Sequence, residues 1–125
     1  MGSSDIVIAD AAPDAGASEA VTLAIDVGGT RLKCGLLDAA GRMVKGPVRT
    51  DTPRPADPQA VVEALVGLTR QLGAFDRVSA GFPGVVRLGR VRTAPNLGNA
   101  SWAGFPLAEE LQRRLGKPVR LLNDG

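Results

Sequence analysis

An acid, two glycines and a hydroxyl residue form the first pattern in the chain that could do chemistry. Asp26 stands in an apolar run, Gly28 and Gly29 interrupt that run, and Thr30 precedes a second apolar run. Paired glycines accept the positive φ of tight hairpins, so the pattern predicts two strands joined at this turn. Backbone amides of such a turn, together with a hydroxyl, can hold phosphate oxygens. The turn is therefore a candidate phosphate-binding site, with the amides of Gly28, Gly29 and Thr30 as its donors.

Asp26 is unusual because it places a charge in what is predicted to be a central strand. Burying a carboxylate is costly unless a metal, a cation or a water network compensates it. Asp26 could hold a hydrated Mg²⁺ through water, while Lys33 or Arg31 would add positive charge. The glycine spacing fits neither a Walker A loop nor a Rossmann fingerprint. An ordinary hairpin turn with a surface Asp is the alternative reading.

Three further motifs later in the chain could belong to the same site. They are the stretch 81–84 ending at Gly84, the Asn-rich loop with Asn96, and the pair Asn123 and Asp124. An amide side chain offers both a donor and an acceptor, which suits sugar hydroxyls. Asp124 could accept the proton of an attacking hydroxyl while Asn123 orients it. Each group has a structural alternative as a turn or a solvated strand end, and Trp102 is either a core residue or a sugar platform.

The elements that must position these groups can be read from periodicity and turn residues. Asp57 and Pro58 are a typical helix start, and Gly73 is the expected end of that helix. Pro106 is expected to open a second helix. Strands are predicted over residues 21–27, 32–38, 43–50, 77–81 and 119–122, with a small hairpin around Gly89 and a long loop over 93–105.

Three meandering strands followed by helix, strand, helix and strand predict an α/β domain with a mixed sheet and crossover helices. The third strand is expected at an edge of the sheet. In open sheets of this kind, ligands bind beyond the carboxyl ends of the strands. The turn at Asp26, the stretch 81–84 and the pair Asn123 and Asp124 all follow such ends. We therefore expect one shared site.

Composition excludes several classes of function. The 125 residues carry a net charge of +2, with 44% hydrophobic, 22% charged and only 3% aromatic residues. Scattered charge and few aromatic residues argue against a nucleic-acid partner. A single cysteine, Cys34, excludes an internal disulfide, and the absence of histidine makes a zinc site within the chain improbable.

Residues 1–20 are small, acidic and poor in large apolar side chains, which predicts a disordered leader. The chain has neither a membrane-length apolar run nor the basic start of a signal peptide, so we expect no membrane partner and a cytoplasmic location. Residues 21–125 are then the folded domain.

Taken together, the motifs resemble the N-terminal lobe of the ROK family of sugar kinases, which has the actin-like ATPase, or ribonuclease H-like, fold. The resemblance covers residues 23–124, and four motifs in order carry it: 25–33, 81–86, 93–97 and 122–124. Within the family, residues 81–86, 91–97 with Trp102, and the Pro-rich stretch 52–58 are most similar to the polyphosphate/ATP glucokinase branch.

The resemblance implies a kinase that transfers phosphate from ATP or polyphosphate, with Mg²⁺, to the 6-hydroxyl of glucose or a related hexose. It assigns the phosphate loop to Asp26, Gly28, Gly29, Thr30 and Lys33. It assigns the sugar contacts to Gly84, Asn96, Asn123 and Asp124, with Asp124 also the general base. We further expect a homodimer of the full-length protein.

Family members continue after Asp124 into a second lobe, so the chain resembles a truncated lobe that is inactive alone. Two alternatives remain open. One is a sugar-responsive transcription repressor of the same family, although residues 1–20 are short for the DNA-binding helices of such proteins. The other is a non-catalytic sugar-binding lobe.

Overall fold

A five-stranded mixed sheet with two helices on one face forms the framework of the chain. The computed structural model describes residues 20–123, apart from the side chain of Asn99. The predicted leader therefore lies outside the described residues except for Ala20, as do Asp124 and Gly125. No helix in the described part of the chain is long and apolar enough to cross a membrane.

The strands of the sheet are β1 Thr22–Val27, β2 Arg31–Leu37, β3 Met43–Asp51, β4 Arg77–Phe82 and β7 Val119–Asn123. Their order in the sheet is β3-β2-β1-β4-β7, so β1 is the central strand and β3 an edge strand, as predicted. Strand β2 is antiparallel to β1 and β3, whereas β4 runs parallel to β1 and to β7. The mixed α/β architecture expected from the order of elements is confirmed.

Helix α1 (Pro58–Thr69) begins as the sequence predicts but ends earlier. The Asp57 carboxylate accepts a hydrogen bond from the amide of Ala60 at 2.9 Å, which is an N-cap. Gly73 was expected to end the helix, and that expectation is wrong. The chain leaves the helix at Thr69 and makes tighter turns, which carry Leu72 into the core.

Helix α3 (Leu107–Leu115) follows Pro106 and ends at Gly116, whose φ of 73° is left-handed. Leu107 and Leu111 pack with the α1 side chains Val61 and Leu65 into one core with the apolar face of β1. Both helices therefore cover the same face of the sheet. This follows from the right-handed crossover rule, because the chain passes from β1 to β4 and on to β7 in one direction across the sheet.

The excursion between β4 and α3 contains more structure than the loop expected for residues 93–105. A two-stranded hairpin, β5 (Val86–Arg87) with β6 (Arg90–Val91), turns at Gly89 as predicted. A short 3₁₀ turn, Pro95–Leu97, and the helix α2, Asn99–Trp102, follow it.

Candidate functional site

The parallel strands bring the predicted site residues to one edge of the sheet. Asp26 of β1 lies beside Gly81 of β4, and Phe82 of β4 lies beside Asn123 of β7. The carboxyl ends of all three strands therefore meet there, as the sequence predicts. Asp124 follows directly in the chain but lies outside the described residues.

A two-residue turn closes the hairpin between β1 and β2. The amide of Gly28 donates to the carbonyl of Arg31 at 2.9 Å, leaving Gly29 and Thr30 as the turn. Neither Gly28 nor Gly29 has a positive φ, so the conformational reason given for these glycines was wrong. Space is the reason instead: a Cβ on Gly28 would lie 2.6 Å from the Arg31 carbonyl oxygen.

This closure changes the set of amides that a phosphate could use. The N–H of Gly28 is already engaged within the hairpin, so it does not point at a ligand. The amides of Gly29 and Thr30 donate to no protein acceptor among residues 20–123. The expected set of three amides is therefore reduced to two at this turn.

The carbonyl side of the turn is held by the segment that follows β3. The Thr52 hydroxyl donates to the carbonyl of Gly28 at 2.7 Å, and the Thr52 amide donates to the carbonyl of Thr30 at 2.9 Å. The Arg54 guanidinium donates to the carbonyl of Gly29 at 2.9 Å. We call Thr52 and Arg54 the carbonyl clamp. Sequence reasoning missed both residues, because a proline-rich segment predicts only a loop and does not indicate which part of the chain that loop contacts.

Asp26 lies beside Lys33 across the β1–β2 ladder, with 3.9 Å between the carboxylate oxygen and Nζ. The Asp26 side chain is 47% exposed and alternates with the core-facing Ile25 and Val27, so it points away from the helices. The expected buried charge is therefore absent, and Asp26 stands half-exposed with a cation for a neighbour.

The donor set for a metal at this edge is small. Residues 20–123 contain no group of three or more Asp, Glu, Cys or His side chains that could enclose an ion. Mg²⁺ keeps several waters and binds through one or two carboxylates. Asp26 therefore fits a hydrated Mg²⁺ held through water, and it does not fit a dedicated protein cage.

The long excursion after β4 returns to the β1–β2 turn at Asn96. A Cβ on Gly84 would lie 2.0 Å from the Thr93 carbonyl oxygen, so only glycine lets the two segments of this excursion meet. The Thr93 hydroxyl accepts a hydrogen bond from the amide of Val85 at 3.1 Å. A Cβ on Gly29 would lie 2.9 Å from the Cβ of Asn96. Asn96 thus sits directly against the turn.

A cavity of about 260 Å³ lies between the Asn96 loop and the proline-rich segment. Its polar lining comes from Arg54, Asp57, Asn96 and Ser101. The cavity is open to solvent, and Asn96, which contacts Gly29, connects it to the turn.

Trp102 is a core residue rather than a sugar platform. Its side chain is fully buried, and the indole N–H donates to the carbonyl of Ala56 at 2.8 Å. Its ring packs against Phe82 and Phe105, with centroids 5.0 and 5.7 Å away. Trp102 therefore anchors α2 and the proline-rich segment to the end of β4.

The sequence profile of the ROK family matches residues 22–125. The chain belongs to the ROK family. The match begins at β1 and runs through every element described above, so the resemblance drawn from four short motifs is confirmed along the whole domain.

Kinases are prominent among the relatives of this ROK chain. The polyphosphate glucokinase of Mycobacterium tuberculosis is 35% identical over 102 residues, which are 80% of this chain and 38% of that protein. The chain therefore spans well under half the length of this relative.

Two solved structures share the fold. The inorganic polyphosphate/ATP-glucomannokinase from Arthrobacter is 34% identical, with a TM-score of 0.77 over 84% of this chain and 44% of that one. A ROK family glucokinase from Streptomyces griseus, in complex with glucose and AMPPNP, is 29% identical, with a TM-score of 0.73 over 83% of this chain and 33% of that one. The expected actin-like ATPase fold is confirmed.

Proposed function

We propose that this chain is one lobe of a sugar kinase that transfers a phosphoryl group from ATP or polyphosphate to the 6-hydroxyl of glucose or a related hexose. The observation that carries the proposal is the meeting of three strand ends and Asn96 at one edge of the sheet. Similarity to polyphosphate glucokinase supports the choice of donor and sugar.

The phosphate of the donor would bind at the β1–β2 turn. The amides of Gly29 and Thr30 and the Thr30 hydroxyl supply hydrogen-bond donors, while Gly28 closes the turn. Lys33 supplies positive charge beside Asp26. Phosphoryl transfer needs positioning and charge neutralisation more than covalent chemistry from the protein, and this set of groups offers both.

Mg²⁺ would be held by Asp26 through its water shell. When bound, the ion would neutralise charge on the donor phosphates. The half-exposed position of Asp26 at the end of β1 leaves room for that water shell.

The sugar would bind across the ends of β4 and β7. Asn96 and Asn123 offer amide donors and acceptors to its hydroxyls, and Gly84 would contact the sugar from the stretch that follows β4. Asp124, the residue after Asn123, would accept the proton of the 6-hydroxyl as the oxygen attacks phosphorus.

The test of this mechanism is Asp124→Asn in the full-length gene product, assayed for glucose 6-phosphate with each donor. A general base contributes about 10²- to 10⁴-fold, so kcat is expected to fall by that factor. Asp38→Asn is the matched control, because Asp38 caps the turn after β2 at the opposite end of the sheet and Asn keeps that capping capacity. An unchanged kcat in the Asp124 variant would remove this residue from the mechanism.

We also propose that these 125 residues alone do not turn over. A phosphoryl donor must be enclosed from two sides, and the chain matches only 38% of the length of its mycobacterial relative. Robust glucose phosphorylation by this polypeptide would contradict that proposal. The homodimer expected for the full-length protein stays a prediction, which sedimentation of that protein would test.

A further inference from the structure

The carbonyl clamp fixes which way the peptide groups of the phosphate turn face. Gly28, Gly29 and Thr30 present three successive carbonyls, and all three accept hydrogen bonds from Thr52 or Arg54. The peptide bonds of the turn are trans, so the N–H of each following residue points away from the carbonyl of the same peptide group. Clamping the carbonyls of Gly28 and Gly29 therefore turns the amides of Gly29 and Thr30 to the opposite side.

The clamp also changes how strongly those amides donate. A carbonyl that accepts a hydrogen bond withdraws electron density from its own peptide N–H, because hydrogen bonds in a chain polarise one another. Arg54 is the charged member of the clamp, and a charged donor makes a stronger bond than a neutral one. The peptide group between Gly29 and Thr30 carries this effect from the guanidinium to the Thr30 amide.

Arg54 differs from the other cations near the turn. Arg31 lies 4.0 Å from Asp51, and Lys33 lies 3.9 Å from Asp26, so each has a carboxylate neighbour. Arg54 has no ion-pair partner among the described residues, and its guanidinium donates a hydrogen bond to the Gly29 carbonyl. Its charge is therefore directed at the turn rather than at a nearby carboxylate.

We propose that Thr52 and Arg54 hold the turn by its carbonyls and so aim the amides of Gly29 and Thr30 at a phosphate of the donor, with Arg54 acting as a positioning residue for donor binding. This inference rests on the proposed function, since it assumes that the turn binds phosphate. The ligand class is a chain of linked phosphates, whether inorganic or part of a nucleotide.

The test is a titration of the ¹⁵N-labelled full-length gene product with sodium tripolyphosphate, followed at the amide signals of Gly29 and Thr30. Arg54→Gln removes the charge, and Arg54→Lys keeps it while losing the planar fork. Arg42→Gln is the matched control, because it removes one arginine charge from the turn at the other end of the β2–β3 hairpin.

Arg54→Gln is expected to weaken tripolyphosphate binding roughly tenfold, as for loss of one hydrogen bond from a charged donor. It should also move the Thr30 amide proton upfield before any ligand is added, because the charged donor no longer polarises the peptide group between Gly29 and Thr30. Arg54→Lys should restore part of the lost affinity and part of the Thr30 shift. Arg42→Gln should leave the affinity within twofold of the unsubstituted protein and the Thr30 signal unmoved.

The outcomes separate this inference from the proposed function. If tripolyphosphate shifts both amides but Arg54→Gln leaves the affinity and the Thr30 signal unchanged, the positioning role is overturned and the phosphate site stands. If tripolyphosphate shifts neither amide of the unsubstituted full-length protein, the phosphate site proposed at the turn fails, and this inference fails with it.

A parallel titration with ATP separates the two kinds of donor. The Arg54→Gln substitution should weaken the binding of ATP and of tripolyphosphate by the same factor, because the carbonyl clamp acts through the turn. A loss seen with ATP alone would overturn the inference, since it would place Arg54 at the nucleoside.

Discussion

Asn96 packs its Cβ directly on Gly29, and this contact joins the sugar side of the proposed site to its phosphate side. A Cβ on Gly29 would lie 2.9 Å from the Cβ of Asn96, closer than real side chains approach. Since the two residues are 67 positions apart (96 − 29), the contact exists only once the sheet and the excursion after β4 are both in place.

Gly29→Ala is expected to push the Asn96 loop away from the turn and to cost about 1–3 kcal/mol of unfolding free energy through overpacking. Urea unfolding and the amide signals of residues 93–98 would measure the two effects. Gly67→Ala is the control: Gly67 lies inside α1 with nothing within 4 Å of an added Cβ. That change should raise stability by about 0.5–1 kcal/mol. Equal effects of the two substitutions would contradict the packing of Asn96 on the turn.

Thr52→Val should destabilise the chain by about 1–2 kcal/mol, because it removes the hydroxyl that donates to the Gly28 carbonyl. Thr52 is buried, so water cannot readily replace the lost donor. Thr52→Ser keeps the hydroxyl and is expected to retain most of the stability in urea unfolding. If the Val variant were as stable as the unsubstituted chain, the hydrogen bond from the Thr52 hydroxyl to Gly28 would not contribute to stability.

Cys34 is expected to be nearly inert to thiol reagents in the folded chain. Its side chain is buried in the core, and this burial raises the pKa of the thiol to about 12. The reactive thiolate at pH 8 is therefore about a thousandfold scarcer than for an ordinary cysteine. Alkylation rates should rise sharply in denaturant. A fast reaction of the native chain would show that β2 does not shield this side chain.

Glu63 and Arg114 join α1 to α3, and the pair makes stability depend on pH. The hydrogen bond from Arg114, helped by its charge, lowers the pKa of Glu63 below its ordinary value of 4.5. A depressed carboxyl pKa stabilises the fold above the unfolded-state pKa, and that contribution is lost as the pH falls through the folded-state value. Stability should therefore decline below about pH 4.5.

Glu63→Gln should flatten this part of the acid dependence, measured by thermal unfolding between pH 3 and 6. Glu109→Gln is the control, since Glu109 is an exposed acid of α3 with no ion pair among residues 20–123. If both variants kept the full slope, the ion pair would not contribute to it.

Local patterns in the sequence were sufficient for the framework of the fold. Some features depend only on residues that are close in the sequence, so the residue types are enough to predict them. They are the Asp57 cap, the apolar positions of α1 and the alternation in β1. Weak alternation in residues 43–50 indicated an edge strand. The shared carboxyl edge follows from element order, because strands joined by a crossover helix run parallel.

Contacts between distant segments were decided only by the tertiary structure. Gly28 and Gly29 were recognised as special, but the reason for each is space occupied by Arg31 and Asn96 rather than a positive φ. Thr52 and Arg54 gave no local signal, because a hydrogen bond to a carbonyl more than twenty residues away leaves no spacing pattern behind. By itself, the sequence determined the family, the sheet and the edge where the site lies. Which amides of the turn are open to a ligand depended on the packing of the proline-rich segment against it.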